Sequence, residues 1–151
     1  MNARLRSDEG VRVYERGRTY NRRIDIHAKY GGNAQSGISP CANHPYVFLF
    51  TAPAGEKYGY DDGWLSTTQF SYTGEGQLGD MEMARGNRAI QQHVTDNREL
   101  HLFEKSARSG QYHYLGQFRY LSHQIRKGTD GEGDDRSQIV FLLELIETVQ
   151  A

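Results

Sequence analysis

Residues 58–90 read YGYDDGWLSTTQFSYTGEGQLGDMEMARGNRAI. Gln69–Tyr72 alternates apolar and polar residues, as a half-buried strand does, and it runs directly into the turn residues Thr73-Gly74-Glu75-Gly76. Upstream, Tyr60 and Tyr72 stand on either side of the acids Asp61 and Asp62. Downstream, Asn87–Val94 has helix-forming composition, with Ile90 and Val94 four apart on one expected face. A strand, a glycine-rich loop and a short helix are thus expected in immediate succession.

Working outward, Tyr46–Phe50 (YVFLF) is a short apolar run bounded by Asn43-His44-Pro45 and Ala52-Pro53-Ala54-Gly55, the pattern of a buried strand. Val11–Tyr14, Leu100–Glu104, Tyr112–Leu121 and Gln138–Ile146 also read as strands. Lys127–Arg136 (KGTDGEGDDR) reads as a solvated hairpin loop. Many strands, few helices and Gly-marked turns predict an α+β, mostly β fold: a curved sheet or small barrel. A length of 151 residues suits one domain, here residues 1–151, with a single core.

One cysteine, Cys41, excludes an internal disulfide and suits a reducing compartment. No apolar run approaches the ~20 residues of a membrane helix, and the N-terminus is polar and Arg-rich. A cytoplasmic protein with no membrane partner is expected. The net charge of −1 conceals a strong alternation. Residues 1–30 carry eight Lys/Arg against four Asp/Glu, and residues 84–127 eight against three; residues 31–83 and 128–151 each carry one against six. If the two basic segments share a face, they form an electrostatic footprint for nucleic acid; ordinary mixed surface charge is the competing reading.

Gly74–Gly79 matches GxGxxG, but a dinucleotide fingerprint needs a strand before it and a helix immediately after it within a βαβ unit, and Asp80–Met83 leads instead to another glycine, Gly86. Cys41 and His44, or His101 and His113, have no second pair to complete a metal site, so no metal or cofactor is expected. His93, His101, His113 and His123 read as surface residues, and Cys41 as an inert, half-buried thiol. Two aromatic faces and a carboxylate suit a pocket for one extruded pyrimidine: the faces replace lost stacking, and the carboxylate accepts the exocyclic amine of cytosine. The loop Tyr30–Ile38 (YGGNAQSGI) reads equally as a phosphate contact made by backbone N–H groups and as a plain turn.

The combination YGYDDGW, FSYTGEGQLGDM, GNRAI and ELHLF, with YGGNAQSGI before it and GQYHYLGQFRY after it, resembles the SRA (SET and RING-associated, or YDG) domain family. It is most similar to the SRA-like domain of ScoMcrA-type modification-dependent restriction enzymes, over roughly residues 20–122. The resemblance implies a PUA-like curved β-barrel flanked by short helices. It implies non-catalytic recognition of double-stranded DNA bearing 5-methylcytosine, the modified base being flipped into a pocket. Tyr60 and Tyr72 would sandwich the base, Asp61 or preferably Asp62 would read its Watson–Crick edge, and Thr73 would line the edge or methyl side. Gly32, Gln35, Ser36 and Gly37 would belong to a groove-entering loop, and the segment Gln77–Arg85, with Gln77 and Leu78, to a second probing finger. Arg85 and Arg88, directly after the Gly loop, are the first candidates for backbone phosphates. No nuclease region follows Ile146, which implies a reader that stands alone or works with a separate nuclease or other effector. The rival readings are a binder of 5-hydroxymethylcytosine or structured RNA, a hydrolase using Asp61/Asp62 with His93, and a scaffold whose tyrosines are core.

Overall fold

The computed structural model describes residues 13–53 and 62–146. Tyr60 and Asp61 lie outside these residues, as does Val11 of the expected strand Val11–Tyr14. Among the described residues, eight strands form one sheet. They are β1 (Thr19–Asn21), β2 (Ile38–Pro40), β3 (Tyr46–Thr51), β4 (Gly63–Trp64), β5 (Gln69–Thr73), β6 (Glu99–Lys105), β7 (Gln111–Thr129) and β8 (Asp135–Ile146). A π-helical segment, Arg22–His27, continues into a single α turn, Ala28–Tyr30 (α1), and a short helix, Arg85–Gln91 (α2), precedes β6. The sheet order is β2-β3-β6-β7-β8-β5-β4, with β1 paired to the start of β7.

Among the described strand pairs only β3 and β6 run parallel, Tyr46 opposite Glu99 through Thr51 opposite Glu104. A parallel pair needs a long crossover. Here the crossover contains β4, β5, the glycine-rich loop and α2, so the block that dominates the sequence is carried from one end of the sheet to the other. The apolar run of β3 follows from burial on both faces. Val47 and Leu49 join a core with Phe70, Tyr72, Ile90, Leu100, Leu102, Phe118 and Phe141. Phe48 and Phe50 join an aromatic cluster with Tyr14, Ile26, Cys41, Phe103 and Tyr114 on the other face.

The sheet curls but does not close into a barrel: β2 and β4 are its ends, and no ladder joins them among the described residues. Side chains span the seam instead. The Tyr72 hydroxyl on β5 is shared between the carbonyls of Gly37, 3.0 Å away, and Phe50, 3.1 Å away.

Several local expectations change. Val13 and Tyr14 are not in a strand, and the first strand is Thr19–Asn21. The helix begins earlier and stops at Gln91, so Ile90 is fully buried while Val94 is 68% exposed. The solvated loop shrinks, because β7 continues to Thr129 and β8 starts at Asp135, pairing Lys127 with Ser137 and Gly128 with Arg136. Cross-strand hydrogen bonds extend the hairpin through a stretch whose composition alone reads as loop. His93 and His101 are buried rather than on the surface. Cys41 is fully buried, and burial pushes its thiol up to about 11.

Candidate nucleic-acid interface

A cavity of about 250 Å³ opens at the seam, where the ends of β3 and β5 approach one another. Asp62 reaches it from the start of β4 and is fixed at both oxygens. Oδ1 accepts the Thr73 amide at 2.7 Å, and Oδ2 accepts the Thr51 hydroxyl at 2.8 Å. These two hydrogen bonds hold the carboxylate in the cavity lining, and a carboxylate oxygen can accept more than one hydrogen bond. Tyr72, only 2% exposed, contributes to the same wall. Burial, and then the Asp62 charge, hold its phenol well above the ordinary value, so the hydroxyl stays protonated and donates across the seam.

The opposite wall is built on Arg22, at the start of the π-helical segment. Its guanidinium lies over the Phe50 ring, 3.5 Å from the centroid, a cation–π contact. It donates to His27 Nε2 at 2.9 Å and to the carbonyls of Asn33 and Ser36. His27 therefore carries its proton on Nδ1 and donates it to the Gly31 carbonyl at 2.8 Å. Burial, with the adjacent guanidinium, lowers the His27 pKa. The loop Tyr30–Ile38 is thus tied to the fold through its carbonyls. Two of its amides are also used internally: Asn33 N–H donates to Ser39 Oγ and Gln35 N–H to Asn33 Oδ1, each at 2.7 Å. These bonds fix the shape of the loop.

The glycine-rich loop is joined to α2 by reciprocal contacts that explain its spacing. Asn87 Oδ1 accepts the Glu75 amide at 2.8 Å, and Asn87 Nδ2 donates to the carbonyls of Glu75 and Glu82. Glu75 Oε2 in turn accepts the Gly86 amide at 2.9 Å. A Cβ on Gly74 would lie 2.5 Å from Asn87 Oδ1, and one on Gly86 would lie 2.5 Å from the Glu75 carboxylate. The two glycines are required because each faces the polar side chain that locks the other segment. Burial raises the Glu75 pKa, and the Gly86 amide and Arg85 partly offset this.

Glu75 and Ile38 also border a second, shallower groove containing Ser36, Arg85, Arg88 and Arg98. None of the three arginines makes a side-chain hydrogen bond or ion pair among the described residues. The three guanidinium groups outnumber the two carboxylates of the same groove, Glu75 and Asp96, which leaves its lining with a positive balance.

Of the residues expected from sequence, Asp62, Tyr72, Thr73, Gln35, Gly37 and Gln77 meet around the cavity. Ser36, Arg85 and Arg88 line the groove. Gly32 packs at the base of its loop against Ser39 and His27, away from both linings, and Leu78 projects beside Gln77 with 60% exposure. Tyr60 and Asp61 lie outside the described residues. Arg22, Thr51, Glu75, Lys105, Tyr112 and Arg98 were not anticipated. Only Glu75, inside the motif itself, carried a sequence signal. The proposed hydrolytic partner His93 is engaged elsewhere, donating from Nδ1 to Arg98 O at 2.8 Å and accepting the Tyr120 amide at Nε2 at 3.0 Å.

Among curated proteins no match was found. Solved structures share the fold. The sulfur-binding and SRA domains of ScoMcrA, complexed with phosphorothioated DNA, match at 23% identity and TM-score 0.73, over 95% of this chain and 43% of that one. The SUVH5 SRA domain in complex with methylated CHH DNA matches at 17% identity and TM-score 0.63, over 90% and 91%. The DNA modification-dependent restriction endonuclease AspBHI matches at 16% identity and TM-score 0.63, over 82% and 38%. The chain therefore spans less than half the length of the ScoMcrA and AspBHI chains it resembles. The sequence profile described as "ScoMcrA-like, SRA domain" matches residues 16–151, nearly the whole chain, and on that match the protein belongs to the ScoMcrA-like SRA domain family.

Proposed function

We propose that this chain is a non-catalytic reader of modified double-stranded DNA, which flips a modified cytosine, foremost 5-methylcytosine, into the seam cavity. The observation that carries the reading is the Asp62 carboxylate, held by the Thr73 amide and the Thr51 hydroxyl in a cavity that also contains Tyr72 and opens beside a groove lined by Arg85, Arg88 and Arg98. A fixed carboxylate accepts from cytosine N4 but not from the thymine O4 acceptor. Flipping costs a few kcal/mol, a stacked aromatic returns about 1–3 kcal/mol per base, and phosphate contacts supply the remainder. On this reading Tyr72 gives one face of the sandwich and Tyr60 the other. The complexes of the structural relatives with methylated and phosphorothioated DNA support the ligand class. ScoMcrA and AspBHI extend well beyond the matched domain, which supports a nuclease or other effector working with this one; the proposed place of action is the cytoplasm, on the nucleoid.

The methyl group contributes about 0.8 kcal/mol per buried carbon, rising to about 1–3 kcal/mol in a tightly fitting pocket, so preference over plain cytosine should be modest, roughly tenfold to a hundredfold. Binding titrations on otherwise identical duplexes carrying cytosine, 5-methylcytosine, 5-hydroxymethylcytosine or a phosphorothioate linkage test this. The 5-methylcytosine duplex should bind more tightly than the cytosine duplex. Equal affinity for these two rejects the methylcytosine reading, and tight binding only to the phosphorothioate duplex moves recognition from base to backbone.

A further inference from the structure

Between its two ends, which Asn87 ties to α2, the loop that forms one rim of the cavity is held by the far hairpin. Gly76 and Gln77 line the cavity, and Leu78 stands outward beside them. On its other side the loop meets the β7–β8 turn. Gly131 N–H donates to Gln77 O at 2.6 Å, Asp130 Oδ2 accepts the Gly79 amide at 3.0 Å, and Arg136 Nη1 donates to Gly79 O at 2.8 Å. Asp80 Oδ1 accepts the Ser137 amide at 2.7 Å, and Met81 N–H donates to Ser137 O at 3.0 Å. Asp130 is itself fixed, because its Oδ1 accepts the amides of Glu132 at 2.9 Å and Asp134 at 3.0 Å.

Resting on the reading of the cavity given above, we propose that Asp130 is a positioning residue for DNA recognition: it ties the Gln77–Met81 loop to the hairpin turn, so that Gln77 and Leu78 meet the duplex in a fixed place and retain the flipped base. An unsupported loop of this composition would have to be ordered when DNA binds, at an entropic cost that weakens the complex. The turn carboxylate bears that ordering before binding. The amides of Gly79 and Glu132, joined by that of Asp134 and the charge of Arg136, hold its carboxyl below the usual range, as expected for a carboxylate engaged on both oxygens.

Asp130→Asn keeps an acceptor for the turn amides but presents a donor where Gly79 N–H needs an acceptor. Two measurements on the full chain decide the matter. Amide hydrogen exchange of the free protein should quicken at Gly79 and its neighbours, with the overall fold retained by circular dichroism at the temperature of the binding assay. Affinity for a 5-methylcytosine duplex should fall roughly three- to tenfold, the scale of one lost hydrogen bond. In a Leu78→Ala background the same substitution should cost less, because the side chain it positions has gone. A wild type that discriminates between the duplexes, together with an Asp130→Asn variant that matches it in affinity or adds its full loss to that of Leu78→Ala, overturns this proposal alone. A wild type that does not discriminate overturns the cavity reading and this proposal with it.

Discussion

The Asp62 carboxylate lies 2.7 Å from the Thr73 amide, joining the start of β4 to the end of β5 at the floor of the cavity. With the Thr51 hydroxyl on its other oxygen, the group braces the seam, and in the proposed function it also meets the edge of the flipped base. Asp62→Asn leaves one of those two donors facing an amide N–H₂. Hydrogen bonds to charged groups contribute about 1.5–3 kcal/mol, so the variant should be destabilised by an amount in that range, as measured by urea unfolding. Preference for a 5-methylcytosine duplex over the thymine equivalent should collapse. A variant that retains this preference would move edge reading to another group.

Tyr72 separates ring from hydroxyl. Tyr72→Phe deletes only the hydrogen bond shared by the Gly37 and Phe50 carbonyls. It should cost about 0.5–1.5 kcal/mol of stability and leave DNA affinity nearly intact. Tyr72→Ala should lose an additional 1–3 kcal/mol or so of binding. Calorimetric stability and binding titrations on the same two variants check the split; an affinity loss in Tyr72→Phe equal to that in Tyr72→Ala would exclude ring stacking.

The groove arginines should report through salt. Each phosphate neutralised on duplex DNA contributes a log–log slope of about −0.9. Arg85→Ala, Arg88→Ala and Arg98→Ala should each weaken modified and unmodified duplexes alike and flatten the slope by about one unit. A loss confined to the methylated duplex would place the arginine at the flipped base instead.

His93 makes stability depend on pH. Burial lowers its pKa, so the unfolded chain takes up the proton first. The contribution is complete above the ordinary value of about 6.5 and is lost as pH falls from there toward the folded value. His27, lowered in the same sense, adds to the effect. Unfolding free energy should therefore be smaller at about pH 6 than at about pH 7.5, and His93→Gln should flatten the dependence. Urea titrations at the two pH values test it; a stability that rises on acidification would show that His93 is protonated in the folded state.

The residues that read clearly from sequence carry local patterns. Tyr46–Phe50 had to be a strand buried on both faces, and Gln69–Tyr72 a strand entering a turn, because alternation and apolar runs are properties of neighbours in the chain. Asp62, Tyr72, Thr73, Gln35, Gly37 and Gln77 were named because the SRA motif carries them, and the fold brings all six to one cavity. Gly74 and Gly86 stood in the motif without a stated role, and the role, making room for two polar side chains where a Cβ would lie, needed coordinates.

Other features depended on distance in the sequence. Arg22 reaches the cavity because the π-helical segment sets it over Phe50, 28 positions away in the chain. Glycine and acid content made Lys127–Arg136 read as a loop, yet strand pairing extends the hairpin into it, and Asp130 then holds a loop about 50 residues earlier, as a sheet ladder lets it do. Composition and motif determined that this chain would be a curved, mostly β SRA domain with Asp62 and Tyr72 among its marked residues. Only the tertiary structure decided that the sheet stays open, that Asp62 and Tyr72 bridge its seam, and that the arginines share a groove. The chain encodes neighbours at short range, whereas a site at a sheet's seam is assembled from the ends of strands that meet only when the sheet curls.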